Sequence, residues 1–187
     1  MRKPPMRMPF NFFRKSRVKE GIFARIPMPT KGEVYVSPMP YGPYDPSNRL
    51  MKLYRMHRID RAIVLVTDDE LKSKAKRDLL HLYRVHGIGV DRYPIVDLTR
   101  PNFRLMTDLI VKLKSDLQRD NIAIHCNAGV GRTAIVAACL VKSVLDVEGE
   151  EAIDYIMRHM LVNMSEEQKR FVFRWAADQA GLAGGST

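Results

Sequence analysis

Residues 121–136 read NIAIHCNAGVGRTAIV, and the fold is built around this stretch. Its apolar start, which ends at His125, predicts a buried strand, and its apolar continuation from Thr133 predicts a buried helix. The loop between them contains Gly129 and Gly131, which permit tight backbone turns. A strand, such a loop and a helix N-terminus direct backbone N–H groups and a positive dipole end toward one point. The stretch therefore predicts an anion-binding loop between a strand and a buried helix.

Strand-like and helix-like segments alternate on the N-terminal side of this loop, and helices follow on its C-terminal side. The predicted strands are residues 22–26, 33–37, 59–67, 88–96 and 121–126. The predicted helices are residues 48–56, 69–86 with Asp68 or Asp69 as its cap, 133–145 and 165–180. An amphipathic helix carries Met106, Leu109, Ile110, Leu113 and Leu117 on one face, and a further helix is marked by Ile153, Ile156, Met157 and Met160. Phe171, Val172 and Trp175 are expected to face inward from the last helix. This order predicts an α/β domain with a central mixed sheet flanked by helices.

Composition is that of one ordinary globular domain. The chain has 187 residues, of which 45% are hydrophobic and 28% charged. We expect no membrane span, because no apolar run is long enough, and no secretory signal, because the basic start lacks an apolar centre. Two cysteines do not make a disulfide framework, so we expect a cytoplasmic location. The expected organisation is a basic flexible arm at 1–20, a folded domain at 21–180 and a flexible tail at 181–187.

The net charge of +10 favours anionic partners such as phosphates, nucleic acid, acidic proteins or membrane surfaces. Part of the excess lies in the N-terminal arm, at Arg2, Lys3, Arg7, Arg14, Lys15, Arg17 and Lys19. The arm fits both a solvated tail and a segment that docks on an acidic partner. Charge alone does not decide between nucleic acid and phosphorylated substrates.

Cys126 lies at the mouth of the predicted anion-binding loop. Backbone N–H groups, the helix dipole and Arg132 all favour its thiolate, and a thiolate in a phosphate site is a nucleophile for phosphorus. The planar guanidinium of Arg132 can hold two phosphate oxygens at once. Thr133 can donate its hydroxyl to the sulfur and so help it leave. The alternative is a buried structural cysteine that precedes a glycine loop by coincidence.

The sequence HCNAGVGRT, residues 125–133, resembles the signature of the cysteine-dependent protein tyrosine phosphatase superfamily, with glycine after Ser/Thr replaced by Ala134. The resemblance extends over about residues 33–175 and implies a phosphatase domain with a phosphocysteine intermediate. It implies that the backbone of Asn127, Ala128, Gly129, Val130, Gly131 and Arg132 binds phosphate. It also implies that His125 orders the loop by hydrogen bonding. No metal or other cofactor is expected, and Cys139 is expected in the core.

A proton donor for the leaving group is predicted on a separate loop. In DLTRP, Asp97 precedes Pro101 by four residues and Cys126 by 29, which resembles the acid loop of the superfamily. The alternatives are that Asp97 caps the following helix, or that Asp108 or Asp91 supplies the proton. Arg100 is either a substrate-facing charge or solvated.

Gln168, in SEEQKRF, resembles the glutamine that some superfamily members use to position the hydrolytic water. The alternative is an ordinary surface glutamine at a polar helix end. His81 and His86 are expected to be surface or cap residues on the 69–86 helix.

The substrate is predicted less specifically than the chemistry. The chain is short and shows no equivalent of the tyrosine-recognition loop, which favours a compact dual-specificity-type enzyme acting on phosphorylated proteins. Asn127 and Val130 stand where phosphoinositide-selective relatives often carry lysines, which weakens a phosphoinositide substrate. The basic charge and AGVGRT, which also resembles inositol-phosphate hydrolases, keep a phosphoinositide or inositol-phosphate substrate as an alternative. An RNA 5′-phosphatase fits the charge but shows no aromatic stacking platform. A non-catalytic module that binds phosphorylated partners is the remaining alternative.

Overall fold

The computed structural model describes residues 23–176, so the predicted arm at 1–20 and tail at 181–187 lie outside the described residues. The strands within this range are β1 Ala24–Ile26, β2 Val34–Ser37, β3 Arg61–Val64, β4 Gly89–Arg92 and β5 Ile122–His125. The helices are α1 Leu50–Met56, α2 Asp68–Lys74, α3 Leu79–Val85, α4 Phe103–Asp116, α5 Arg132–Leu145, α6 Gly149–Met157 and α7 Glu166–Arg174. None of these helices is long and apolar enough to cross a bilayer.

The sheet is mixed, as predicted, with the strand order β1-β2-β5-β3-β4. Only its edge strand β1 runs antiparallel to its neighbour, whereas β2, β5, β3 and β4 are parallel. His125 at the end of β5 aligns with Ser37 on one side and with Val64 on the other. The carboxyl ends of the parallel strands therefore meet at one edge, and the loops that leave them surround residues 126–131.

Helix α5 is the central helix, as predicted from its apolar sequence. Every residue from Arg132 to Val141 is buried. The helix packs against α4, α6 and α7 and against the neighbouring strands β2 and β5. Because α5 is held on so many sides, the N-terminal turn that begins at Arg132 has a rigid support.

The predicted 69–86 helix is wrong, because the chain forms two helices there. The backbone at Ala75 is extended, and Asp78 starts α3 by accepting a hydrogen bond from the His81 backbone. The cap of α2 is also not Asp68 or Asp69. Thr67 is the cap, in a reciprocal capping box with Glu70.

Other element boundaries differ by a few residues. The strands predicted at 59–67 and 88–96 are shorter in the structure, where they are β3 and β4. Pairing continues beyond β4, because the N–H groups of Tyr93 and Ile95 donate to the carbonyls of Val64 and Leu65 at 3.0 and 2.9 Å. Met157, one of the residues that mark a helix in the sequence, is the last residue of α6 and is 59% exposed. Phe171, Val172 and Trp175 are buried as predicted, although α7 ends at Arg174.

Candidate active site

The loop after β5 closes tightly around the sulfur of Cys126. This side chain is buried, and its Sγ accepts a hydrogen bond from the Gly129 backbone at 3.2 Å. Gly129 has φ +78°, and a Cβ there would lie 2.5 Å from the carbonyl carbon of Ser37. Only glycine fits this position, because both the left-handed backbone and the close approach exclude a side chain. The turn holds an N–H group on the sulfur.

His125 supports the loop from behind. It is fully buried, its Nδ1 lies 3.3 Å from the Cys126 carbonyl oxygen, and its Nε2 lies 2.9 Å from the Tyr83 hydroxyl. Burial lowers the pKa of His125 to about 4, so the ring is neutral at physiological pH. A neutral ring that donates from Nδ1 accepts at Nε2, so Tyr83 is the donor there. The ring therefore ties the start of the loop to α3.

Arg132 is the most highly coordinated charge of the site. Its Nη1 and Nη2 donate to the two carboxylate oxygens of Glu70 at 2.6 and 2.9 Å, and Nη1 also donates to the Ile95 carbonyl at 2.9 Å. The side chain is only 1% exposed. These contacts occupy the outer end of the guanidinium and leave Nε without a protein partner. The Nε edge is therefore free to bind an oxyanion.

Glu70, the partner of Arg132, was not predicted. Hydrogen bonds from Arg132, with those from Lys74 and the Thr67 backbone, lower the pKa of Glu70 to about 2 although partial burial opposes this shift. The carboxylate is thus charged at any ordinary pH. The TDDE capping-box pattern at 67–70 is the sequence signal that could have drawn attention to Glu70, but only as a helix start.

Asp97 lies beside Arg132, with Oδ1 3.2 Å from Nη2. Its side chain is 54% exposed and therefore accessible to a ligand. It does not cap the following helix, because Asn102 is the cap of α4. Of the other predicted acids, Asp108 is exposed on α4, and Asp91 pairs with Arg61 and Lys112 at 2.9 and 3.1 Å.

Gln168 is 97% buried, so the alternative that it is an ordinary surface glutamine is wrong. Its Oε1 accepts from the Ser165 backbone at 3.0 Å, and its Nε2 donates to the Thr99 carbonyl at 3.1 Å. The side chain thus ties α7 to the loop that carries Asp97. Arg100 of the same loop, one of whose interpretations was a solvated charge, lies 3.3 Å from Glu167.

Asn127 and Thr133, two further predicted site residues, lie on the loop after β5 and at the start of α5. Asn127 Oδ1 and Thr133 Oγ1 are buried and, like Arg132 Nε, have no protein partner. The Thr133 hydroxyl thus makes no hydrogen bond to Cys126 Sγ in this structure. The Thr133 hydroxyl, the Arg132 Nε–H and the backbone N–H groups of 127–132 form a donor set that suits an oxyanion. Cys139 lies in the core, where burial raises the pKa of its thiol. Residues 23–176 contain no cluster of three or more potential metal ligands.

A family model described as "Cyclin-dependent kinase inhibitor 3 (CDKN3)" matches residues 50–153. The chain belongs to the CDKN3 family. A cyclin-dependent kinase inhibitor 3 of Sus scrofa is 35% identical over 98 residues, which cover 51% of this chain and 46% of that protein. The chain thus spans about half the length of the curated relatives it matches.

Solved structures show the same fold as this CDKN3-family chain. Kinase associated phosphatase, with its catalytic-site cysteine replaced by serine, has a TM-score of 0.72 at 21% identity, covering 83% of this chain and 93% of that one. PTPMT1 in complex with PI(5)P has a TM-score of 0.66 at 18% identity, covering 82% and 93%. The fold is therefore tyrosine-phosphatase-like. Together with the match to the CDKN3 family model, this fold confirms the predicted membership of the cysteine-dependent tyrosine phosphatase superfamily.

The Glu70–Arg132 pair is expected to contribute to the stability of this CDKN3-family chain. Glu70→Gln keeps the capping box but removes the charge and one acceptor, so we expect the free energy of unfolding at pH 7 to fall by about 1–3 kcal/mol. Because the folded pKa is depressed to about 2, the contribution is complete above the ordinary value of 4.5 and is lost as pH falls toward 2.

Urea unfolding of the wild type and the variant from pH 7 to pH 3 measures this difference. Asp69→Asn, on the exposed neighbouring residue, is the control and should change stability by less than about 0.5 kcal/mol. A wild-type–variant difference that stays constant from pH 7 to pH 3 contradicts the assignment of the lowered pKa to this pair.

Proposed function

We propose that this chain is a phosphatase that hydrolyses phosphate monoesters on tyrosine, and on serine and threonine, in proteins through a phosphocysteine intermediate. One observation carries the proposal. Cys126 Sγ accepts the Gly129 N–H at the base of a loop whose Arg132 keeps its Nε edge free, with Asp97 3.2 Å from that guanidinium. A nucleophile, an oxyanion clamp and an acid therefore converge on one point.

In the first step, the Cys126 thiolate attacks phosphorus in line with the leaving oxygen. An S–P bond forms as the P–O bond breaks, and Asp97 gives its proton to the leaving oxygen. Backbone N–H groups of 127–132 and the Nε edge of Arg132 stabilise the charge on the equatorial oxygens. Glu70 holds the guanidinium in the orientation that this contact requires.

In the second step, water attacks phosphorus and the S–P bond breaks. Asp97, now a carboxylate, takes the proton from water, and the electron pair returns to the Cys126 sulfur with help from the Thr133 hydroxyl. We assign to Gln168 the orientation of this water, because its amide keeps one N–H and one lone pair after its bonds to Thr99 and Ser165. Phosphate then leaves, and the site is as it was.

A protein substrate is favoured over the alternatives by the loop and by the family. A site for a polyphosphorylated inositol ring would favour cations in the loop, but the side chains of Asn127 and Val130 bring none. The name of the structural neighbour kinase associated phosphatase describes a phosphatase that associates with a protein, which supports a protein substrate here. A module that only binds phosphorylated partners would have no use for the convergence of Cys126 and Asp97. We also infer a cytoplasmic location from the two free cysteines.

A substrate panel tests the proposed function. The panel comprises an aryl phosphate, phosphotyrosine and phosphothreonine peptides, a phosphoinositide, an inositol phosphate and a 5′-triphosphate RNA, each assayed with and without EDTA. We expect turnover of the aryl phosphate and both peptides, unchanged by EDTA, because the protein's own side chains supply every group of the mechanism. Turnover confined to the lipid, inositol phosphate or RNA contradicts a protein substrate, and loss of activity with EDTA contradicts the mechanism.

A further inference from the structure

The segment that breaks the predicted 69–86 helix is strongly basic. Residues 72–77 read KSKAKR and place four cations within six residues. We refer to it as the basic segment 72–77. Lys72, Lys76 and Arg77 are exposed. The mechanism uses none of these side chains.

Two sets of contacts place the basic segment beside the active site. Lys74 Nζ lies 3.0 Å from Glu70 Oε1, and Glu70 in turn holds Arg132. The Lys76 backbone donates to the Tyr41 carbonyl at 3.0 Å. Tyr41 belongs to the segment after β2, in which the Met39 backbone donates to the Asn127 carbonyl at 3.1 Å. The basic segment therefore joins two structures that border the phosphate-binding loop.

Arg77 is held in position before any ligand binds. Its guanidinium carbon lies 5.4 Å from the centre of the Tyr41 ring, a cation–π contact. A cation already restrained in this way loses less conformational entropy when it binds an anion.

Most acids near the segment are engaged elsewhere. Asp68 pairs with Arg92, Glu70 with Arg132 and with Lys74 of the segment itself, and Asp78 caps α3, which leaves Asp69 as the remaining acid of residues 68–78. The exposed cations of the segment therefore keep a net positive field toward solvent.

The loop that carries Asp97 has a different character. Val96 and Leu98 flank Asp97 and are 62% and 79% exposed. Arg132 contacts Asp97 through Nη2 at 3.2 Å, and Glu70 through Nη1 and Nη2 at 2.6 and 2.9 Å. A ligand centred on Arg132 is thus near both the cations beside Glu70 and the apolar side chains beside Asp97. A peptide can match both, whereas an inositol phosphate offers no apolar surface to the second.

We propose that the basic segment 72–77 is a specificity-determining rim that binds acidic residues flanking the phosphorylated residue of a protein substrate. This proposal rests on the proposed function and names the class of substrate sequence. Lys76 and Arg77 provide the contacts with the flanking carboxylates, and Val96 and Leu98 pack against apolar side chains on the other side of the phosphorylated residue.

The test compares two phosphotyrosine peptides that differ only in carrying glutamate or alanine beside the phosphotyrosine. We expect the wild type to show kcat/KM about three- to tenfold higher for the glutamate peptide at low salt, through KM, because exposed ion pairs contribute little each. Lys76→Ala with Arg77→Ala should remove the preference, and added salt should reduce it in the wild type. Turnover of an aryl phosphate without flanking residues should be the same in both proteins.

A charge-matched control is Arg55→Ala with Arg119→Ala. Both residues are exposed. Arg55 lies two residues before His57, whose carbonyl accepts from Asn121. Arg119 lies two residues before Asn121, which precedes the amino end of β5, whereas the loop follows the carboxyl end. This variant should keep the preference. Binding of the two peptides by Cys126→Ser measures the same preference without turnover, so the rim and the proposed chemistry can fail separately. Equal kcat/KM for the two peptides in the wild type, or a preference that survives in Lys76→Ala with Arg77→Ala, would overturn the proposal. A rim variant that loses turnover of an inositol polyphosphate alone, with the peptides unaffected, would also overturn it.

Discussion

Cys126→Ser is expected to lower kcat by about 10⁴-fold or more while binding of a phosphate ester persists. A serine hydroxyl is a much weaker nucleophile than a cysteine sulfur, so the attacking group is lost. The phosphate-binding groups are the backbone of 127–132 and Arg132, and the substitution leaves all of them in place. Turnover measured with an aryl phosphate, and ligand affinity measured by calorimetry, separate the two effects.

The second cysteine provides the matched control. Cys139 is buried in α5 away from the loop, so Cys139→Ala should retain turnover within about twofold and lower the free energy of unfolding by about 1 kcal/mol. Substantial turnover by Cys126→Ser would refute the nucleophile assignment. Equal losses in the two variants would show that the effect is one of stability instead of chemistry.

Asp97→Ala is expected to slow hydrolysis of an alkyl phosphate by about 10²–10⁴-fold, and that of an activated aryl phosphate far less. An alkoxide is a poor leaving group that requires a proton, whereas an activated phenolate leaves without one. The second step also uses Asp97, so a smaller loss remains for the aryl phosphate. The measurement is kcat for a series of phosphate esters that differ in the pKa of the leaving alcohol.

Asp108→Ala is the matched control, because this exposed acid on α4 was an alternative donor. It should leave the whole series unchanged. Equal slowing of alkyl and aryl phosphates by Asp97→Ala would move the acid elsewhere, and a leaving-group-dependent loss in Asp108→Ala would identify where.

The phosphate-binding loop could be predicted because its determinants are local. An apolar run, two glycines and Arg132 lie within a few positions. The apolar run predicts a strand, the glycines permit tight turns, and Arg132 supplies the positive charge. The central helix could be predicted for the same reason, since an all-apolar sequence has one stable environment. The mixed sheet followed from the alternation of strands and helices.

Glu70 could not be predicted, because it contacts Arg132 across 62 residues of sequence. Its local pattern indicates only a helix start, and the ion pair exists because the ends of β3 and β5 lie side by side. Gln168 could be predicted from its resemblance, but its hydrogen bond to Thr99 could not, because that bond spans 69 residues. The break at Ala75 was missed because the apolar face of 75–83 fits one continuous helix, whereas Asp78 starts a new one.

The covalent intermediate offers the most direct test of the proposed chemistry. Asp97→Ala should accumulate it with an activated aryl phosphate, since the first step then needs no proton donor while the second loses its base. The protein is denatured rapidly during turnover and digested, and the peptide that contains Cys126 is examined by mass spectrometry. We predict that this peptide carries one phosphoryl group, which is absent when Cys126→Ser is added. Continued turnover with an unmodified Cys126, or a phosphoryl group on another residue, would contradict the account.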